Sequence, residues 1–148
     1  MLSGNTLKTL LAVLLLLGTR QYALAQDAIE RLWYNEEKTA KIQIFKATDG
    51  KFYGKIVWLK EPNNEEGKPK TDKKNPDKAK RANPIMGLQM LKGFKKDDAT
   101  HYEDGTIYDP KNGKTYSCKI TRKGDLLDVR GYMGISLIGR TTTWTKAD

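Results

Sequence analysis

The stretch Ala40-Lys41-Ile42-Gln43-Ile44-Phe45-Lys46-Ala47-Thr48-Asp49-Gly50-Lys51-Phe52-Tyr53-Gly54-Lys55-Ile56-Val57-Trp58-Leu59 decides the fold. Up to Ala47 it alternates, with Ile42 and Ile44 on one face and Lys41 and Gln43 on the other. Successive side chains point to opposite faces along a strand, so this is a half-buried strand. Asp49-Gly50 then signals a hairpin turn, because both residues tolerate a positive φ. Phe52 to Leu59 is the return strand, with Phe52, Gly54, Ile56 and Trp58 expected on one side.

The same rhythm recurs along the chain. Gly105 to Asp109 and Lys114 to Thr121 flank the turn cluster Asp109-Pro110-Lys111-Asn112-Gly113. Arg122-Lys123-Gly124-Asp125 turns into Leu126 to Met133, and Gly134 precedes a last strand from Ser136 to Lys146. Between Pro84 and Phe94, Ile85, Leu88 and Leu91 fit a helical face, while Met86, Leu88, Met90 and Phe94 alternate. Gly87 and Gly93 disfavour a helix, so a strand preceded by a helical turn is expected. Short strands separated by turn residues predict an antiparallel sandwich or barrel. One segment departs from this pattern: Glu61 to Pro84 holds four of the five prolines, and from Lys60 to Arg81 eight cations face five acids. It reads as one long basic loop, since neither flank is long enough to fold alone.

The first 25 residues follow other rules. Met1 to Lys8 is polar with one positive charge, Leu10 to Leu17 is an almost unbroken aliphatic run, and Ala23-Leu24-Ala25 places small residues two apart. A charged head, a short apolar core and an A-x-A end describe a secretory signal peptide. The run is far shorter than the roughly 20 apolar residues of a spanning helix. Cleavage after Ala25 leaves a single domain, 26–148, with no transmembrane segment and a periplasmic or secreted address. The formal charge of +9 falls to +7 once Lys8 and Arg20 are removed. The compartment excludes nucleic acid; an anionic envelope surface remains a partner, and the lysines also serve solubility.

The residues of nucleophilic catalysis are poorly supplied. Cys118 is the sole cysteine, and in Thr115-Tyr116-Ser117-Cys118-Lys119-Ile120 it shares a face with Tyr116 and Ile120, which makes it a core residue. His101 is the sole histidine and lies in a polar, turn-like stretch from Asp97 to Asp104. Ser117 and Ser136, the serines of the mature chain, stand in no nucleophile motif. Glu36, Glu37, Glu61, Glu65, Glu66, Glu103 and Asp104 offer carboxylates, but neighbours on a strand point apart and give no facing pair. Asp72, Asn75 and Asp77 lack the spacing of a calcium loop and read as turn formers. No catalytic residue, metal or cofactor is assigned.

Arg140 carries more information. In Ile138-Gly139-Arg140-Thr141-Thr142-Thr143-Trp144 it falls on the face of Ile138 and Trp144. An inward guanidinium needs a partner, because burying it unpaired costs several kcal/mol. The partner is either an aromatic ring such as Trp33, closing the structure, or the anionic head of a ligand.

Four strings resemble one family. They are Gly54-Lys55-Ile56-Val57-Trp58-Leu59-Lys60-Glu61-Pro62-Asn63, the D-x-x-N-P-D run from Asp72 to Asp77, Ile107-Tyr108-Asp109-Pro110 with Gly113-Lys114-Thr115-Tyr116, and Val129-Arg130-Gly131-Tyr132 with Gly139-Arg140-Thr141. In this order they resemble the bacterial domain-of-unknown-function family 2147 over essentially the whole mature chain. The resemblance implies a small secreted or periplasmic barrel similar to the calycins, the lipocalin and fatty-acid-binding group, and it brings no activity with it. Calycins pack an N-terminal tryptophan near a C-terminal arginine, and Trp33 and Arg140 match that pair. Lipocalins usually carry a glycine two residues before the tryptophan, where this chain has Arg31.

The fold expected is therefore all-β: a single antiparallel up-and-down barrel of about eight strands with one long basic loop. The function expected is binding of a small apolar or amphipathic ligand, with Phe52, Trp58, Tyr116, Tyr132, Arg140 and Trp144 as lining residues. The alternative is an envelope-interaction protein that uses the basic loop 60–81 against anionic polymer, lipid or a protein partner. An enzyme is the third reading, without a motif to support it.

Overall fold

The computed structural model describes residues 25–147. The expected signal segment, Ala25 apart, lies outside the described residues. The remainder forms β1 (Leu32–Tyr34), β2 (Ala40–Lys46), β3 (Phe52–Leu59), β4 (Gln89–Lys96), β5 (His101–Asp109), β6 (Lys114–Lys123), β7 (Leu126–Tyr132) and β8 (Gly139–Ala147), with a 3₁₀ turn at Lys78–Lys80. Each strand pairs antiparallel with the next, and β1 also pairs with β8, so the sheet closes into a barrel. The expected architecture is the one observed.

Up-and-down order sorts the connections into two ends. One end holds the turns 47–51, 97–100 and 124–125 together with the N-terminal segment. The other holds 35–39, the long connection 60–88, 110–113 and 133–138. The first is the closed end and the second the open end.

The alternation read in the sequence fills the interior. Ile42, Ile44, Phe52, Ile56, Leu91, Phe94, Tyr102, Cys118, Ile120, Leu127, Val129 and Trp144 are all buried. The outer wall carries Lys41, Lys55, Lys92, Lys95 and Lys119 at the intervening positions. An apolar inside and a charged outside invert the polarity of a membrane-spanning barrel. Gly105 faces the Phe94 ring so closely that a Cβ there would lie 2.4 Å from it. The missing side chain is the space the ring occupies.

Local details refine the sequence reading. The β2–β3 hairpin turns through Ala47–Lys51, with Gly50 N donating to Ala47 O and only Gly50 at positive φ. Asp49 instead accepts from Lys51 N and from the Tyr53 hydroxyl. His101 is not in a turn: it opens β5, because a bulge between Tyr102 and Gly105, with Asp104 at φ 60, lets the strand run through the polar stretch. Ser136 to Ile138 belong to a loop, and the last strand starts at Gly139.

The closed end is sealed from the N-terminal side. Ile29 and Trp33 are fully buried, and the Trp33 indole N–H donates to Ile29 O at 2.9 Å. Asp27 draws the segment down onto the wall by accepting from the Tyr102 hydroxyl and the Lys96 ammonium and from Ile29 N. Burial pushes the Asp27 carboxyl up, but the Lys96 and Tyr102 bonds outweigh it and leave it below its ordinary value of 3.8. Arg31 N donates to Ile29 O, and Arg31 is not among the positive-φ residues, so this position makes no demand for glycine.

A depressed carboxylate stabilises the fold fully above its unfolded pKa, and that contribution disappears as pH falls through the folded value. Thermal melts from about pH 7 to about pH 3 are therefore expected to show an acid-side loss of stability. Asp27→Asn should melt lower at neutral pH and show a shallower acid decline. An unchanged acid limb in the variant would remove Asp27 from this role.

Candidate functional site

The inner wall changes character along the barrel. From the closed end up to Ile56, Cys118 and Val129 the inward apolar positions are buried, while Arg122 and Thr142 are half-buried. Above that level, Leu59, Ile107 and Tyr116 also face inward but are only partly covered. Ile107 pairs with both Leu91 and Tyr116 across the sheet, and Gly131 faces the Ile107 and Tyr116 side chains. Arg140 pairs with Gly131 in the next row, which makes it an inward position at the rim. Its side chain is 80% exposed, and the guanidinium reaches Glu36 at 3.6 Å. An exposed pair of this kind holds the side chain only weakly. The mouth is thus a shallow apolar collar with one arginine on its edge.

The six residues expected to line a ligand site separate into three groups. Tyr116 and Arg140 are at the mouth, where the Tyr116 hydroxyl accepts from Asn112 Nδ2. Phe52 and Trp144 are buried in the packed interior, Phe52 edge-on to Tyr102 and Trp144 paired with Leu127. Trp58 and Tyr132 are on the outer face. The register jumps from Lys41↔Trp58 to Ile42↔Ile56, so the bulge at Val57 reverses the alternation and turns Trp58 out beside Tyr34, under the Lys41 ammonium. Tyr132 pairs with Ser117, one step from the inward Cys118–Gly131 pair. The residues turned inward at the mouth, Leu59 and Ile107, escaped the sequence reading because bulges precede both.

The expected Trp33–Arg140 closure is not formed. Trp33 pairs with Lys146 at the closed end, six residues along β8 from Arg140 and so roughly 20 Å away. The arginine in the inward register at the closed end is Arg122, opposite Leu127, with Nη1 donating to Gly124 O.

The other candidates resolve into structural roles. Burial pushes the Cys118 thiol up to about 12. Cys118 points inward, while the His101 ring bonds Asp98 and Thr100 near the surface, so the two do not form a nucleophile–base pair. Asp72 is buried and accepts from the Tyr108 hydroxyl at 2.7 Å and from Asn75 Nδ2 at 2.8 Å. Asp77 caps the 3₁₀ turn, and Arg81 Nε donates to Asn75 O. Among the described residues no cluster of three or more His, Cys, Asp or Glu side chains could hold a metal.

These bonds fix the long basic connection to the outer wall. Isolated bridges Asn63↔Pro69 and Thr71↔Pro84 fold it on itself. Asp72 then docks on Tyr108, and Gly113, at φ +73, lies so close to Lys74 that a Cβ would sit 2.0 Å from its carbonyl oxygen. The D-x-x-N-P-D string and the Ile107–Tyr116 string are the two halves of this dock. A groove of about 450 Å³ within the connection is lined by Asn63, Asn64, Glu61, Glu65, Glu66, Lys70 and Lys73. Its polar walls suit no apolar ligand.

Burial and the Asp72 bond raise Tyr108 to about 12. Tyr108→Phe leaves a buried carboxylate short of a donor, a cost of about 1–3 kcal/mol. Limited proteolysis is expected to cut the variant within 60–84 faster than the parent, while the barrel strands stay protected. Equal cutting rates would detach the dock from this bond.

Comparison with known proteins agrees with the geometry. No functionally curated protein matches the chain. A solved structure described as protein HP1028 from the human pathogen Helicobacter pylori, which belongs to the lipocalin family, superimposes with a TM-score of 0.72 at 21% identity, covering 81% of this chain and 83% of that one. At that identity the likeness is one of fold. The profile of a family described as uncharacterized protein conserved in bacteria, DUF2147, matches residues 32–146, from the first strand to the last, and the chain belongs to that family.

Proposed function

We propose that this protein is an exported binding barrel that takes the end of a small amphipathic molecule into its mouth. The observation that carries the reading is the change along the inner wall, from filled positions at Cys118 and Ile120 to the partly open Tyr116 and Ile107 below an exposed Arg140. The apolar collar suits a hydrocarbon body, and the guanidinium fork suits a carboxylate or similar anion. Tyr116 is two residues above Cys118, a rise of roughly 7 Å, so the site holds a chain end and does not enclose a whole ligand. An eight-stranded barrel is compatible with such a site. Export rests on the charged head, aliphatic run and A-x-A end of the first 25 residues.

The alternative is attachment to an anionic envelope surface through 60–81. It draws on the eight cations of that segment, seven of them exposed, and on a backbone pinned to the barrel through Asp72 and Tyr108. Salt separates the two, because surface attraction is screened and apolar burial is not.

Native mass spectrometry of protein purified from an exporting host tests the reading directly. The expected result is a chain beginning at Gln26 with a bound mass that leaves on denaturation and enters an organic extract as an amphipathic acid. Decanoate should bind the empty protein, and Arg140→Ala should weaken it about tenfold or more. A chain that retains Met1 removes the export half of the proposal. Decanoate affinity equal in parent and variant removes the arginine from it.

A further inference from the structure

We propose that the β7–β8 connection, 133–138, is a lipid-contact tip that seats the open end of the barrel on an anionic bilayer. The inference goes beyond ligand binding and does not depend on it. In Met133-Gly134-Ile135-Ser136-Leu137-Ile138, the four large side chains are exposed: Met133 63%, Ile135 59%, Leu137 85% and Ile138 69%. Single apolar residues at a surface need no account, but four in one six-residue loop do.

The loop is built to hold them out. Arg130, on the outer face of β7, donates Nε to Ser136 O at 2.8 Å, Nη2 to Leu137 O at 3.4 Å and Nη1 to the Thr141 hydroxyl at 3.0 Å. Ile138 N donates to Ile135 O. Three of the loop's carbonyls, those of Ile135, Ser136 and Leu137, are therefore satisfied from inside the protein. An unsatisfied carbonyl resists leaving water, so a loop clamped this way enters a headgroup layer at lower cost than an open one. This clamp is what the Val129–Tyr132 and Gly139–Thr141 strings build.

Charge selects the partner. The chain has no acid from Val129 to Ala147, and Arg130 and Arg140 flank the loop, Arg140 in an exposed pair with Glu36. The basic connection, with Lys60, Lys73, Lys74 and Lys78 exposed, emerges at the same end of the barrel. Aliphatic tips with cations around them match an anionic phospholipid surface, the side chains entering about 5–10 Å and the cations meeting headgroups. The connections at this end carry ten cations against seven acids, so a second copy of this chain would bring net positive surfaces together. A hydrophilic polyanion would leave the aliphatic side chains in water. On a bilayer the mouth would face the lipid.

Co-sedimentation with phosphatidylcholine vesicles, with and without phosphatidylglycerol, tests the proposal. The protein is expected to bind the phosphatidylglycerol vesicles and to lose affinity as salt rises. The double substitution Leu137→Ser, Ile138→Ser should weaken binding about tenfold or more without shifting the melting temperature, and Leu137→Met should retain it. Equal binding by parent and double variant overturns the proposal, as does no binding by the parent. A concentration-dependent dimer that the double variant loses, without vesicle binding, overturns it in favour of a contact between copies.

Discussion

Closure of the barrel by β1 is the constraint on which the rest of this structure depends. An eight-stranded barrel has an interior only wide enough for its own side chains or one small ligand. The joining strand has three residues, Leu32–Tyr34, and bridges β2 and β8. So short a strand contributes few ladder bonds. The join is reinforced instead by what enters the barrel beside it: Ile29 and Trp33 fill the closed end, and Asp27 ties the incoming chain to β4 and β5 through Lys96 and Tyr102. Burial also raises the Tyr102 hydroxyl pKa, which keeps that group a donor.

Filling one end leaves the chemistry to the other. Phe52, Phe94 and Trp144 occupy the volume that a deep calyx would need, and Gly105 shows how closely that volume is used. The open end keeps the features packing does not absorb: a half-covered collar, an exposed arginine, a basic connection pinned through Asp72 and Tyr108, and an aliphatic loop held by Arg130. Three of the four strings that carry the family resemblance are accounted for by these arrangements. They dock the long connection or clamp the β7–β8 loop, so their residue types follow from architecture.

Legibility in the sequence tracked the period-two pattern. Ile42, Ile44, Phe52, Ile56, Cys118 and Ile120 were readable as inward because no bulge interrupts those runs. Trp58 was misread because one extra residue at Val57 reverses every side chain beyond it, and bulges leave little trace in composition. His101 was placed in a turn for a similar reason, since the bulge before Gly105 lets a polar stretch remain a strand. Trp33 and Arg140 were paired by analogy with other barrels, and the register separates them by most of the length of β8. The clamp by Arg130 could not be read from spacing, because it joins a strand side chain to carbonyls of a loop. The exposed aliphatics were divided between two expected strands, Met133 at the end of one and Leu137 and Ile138 in the last, so the loop they share did not stand out.

The central claim is that the interior is closed to ligands while the open end is not. Methyl-resolved NMR of the Ile-, Leu- and Val-labelled protein, titrated with decanoate, tests it most directly. The account predicts shifts at Leu59 and Ile107, with Ile42, Ile44, Ile120, Leu127 and Val129 unmoved. Progressive shifts at Ile44, Ile120 and Leu127 would contradict it, since they would mean that the packed core opens and takes the ligand in.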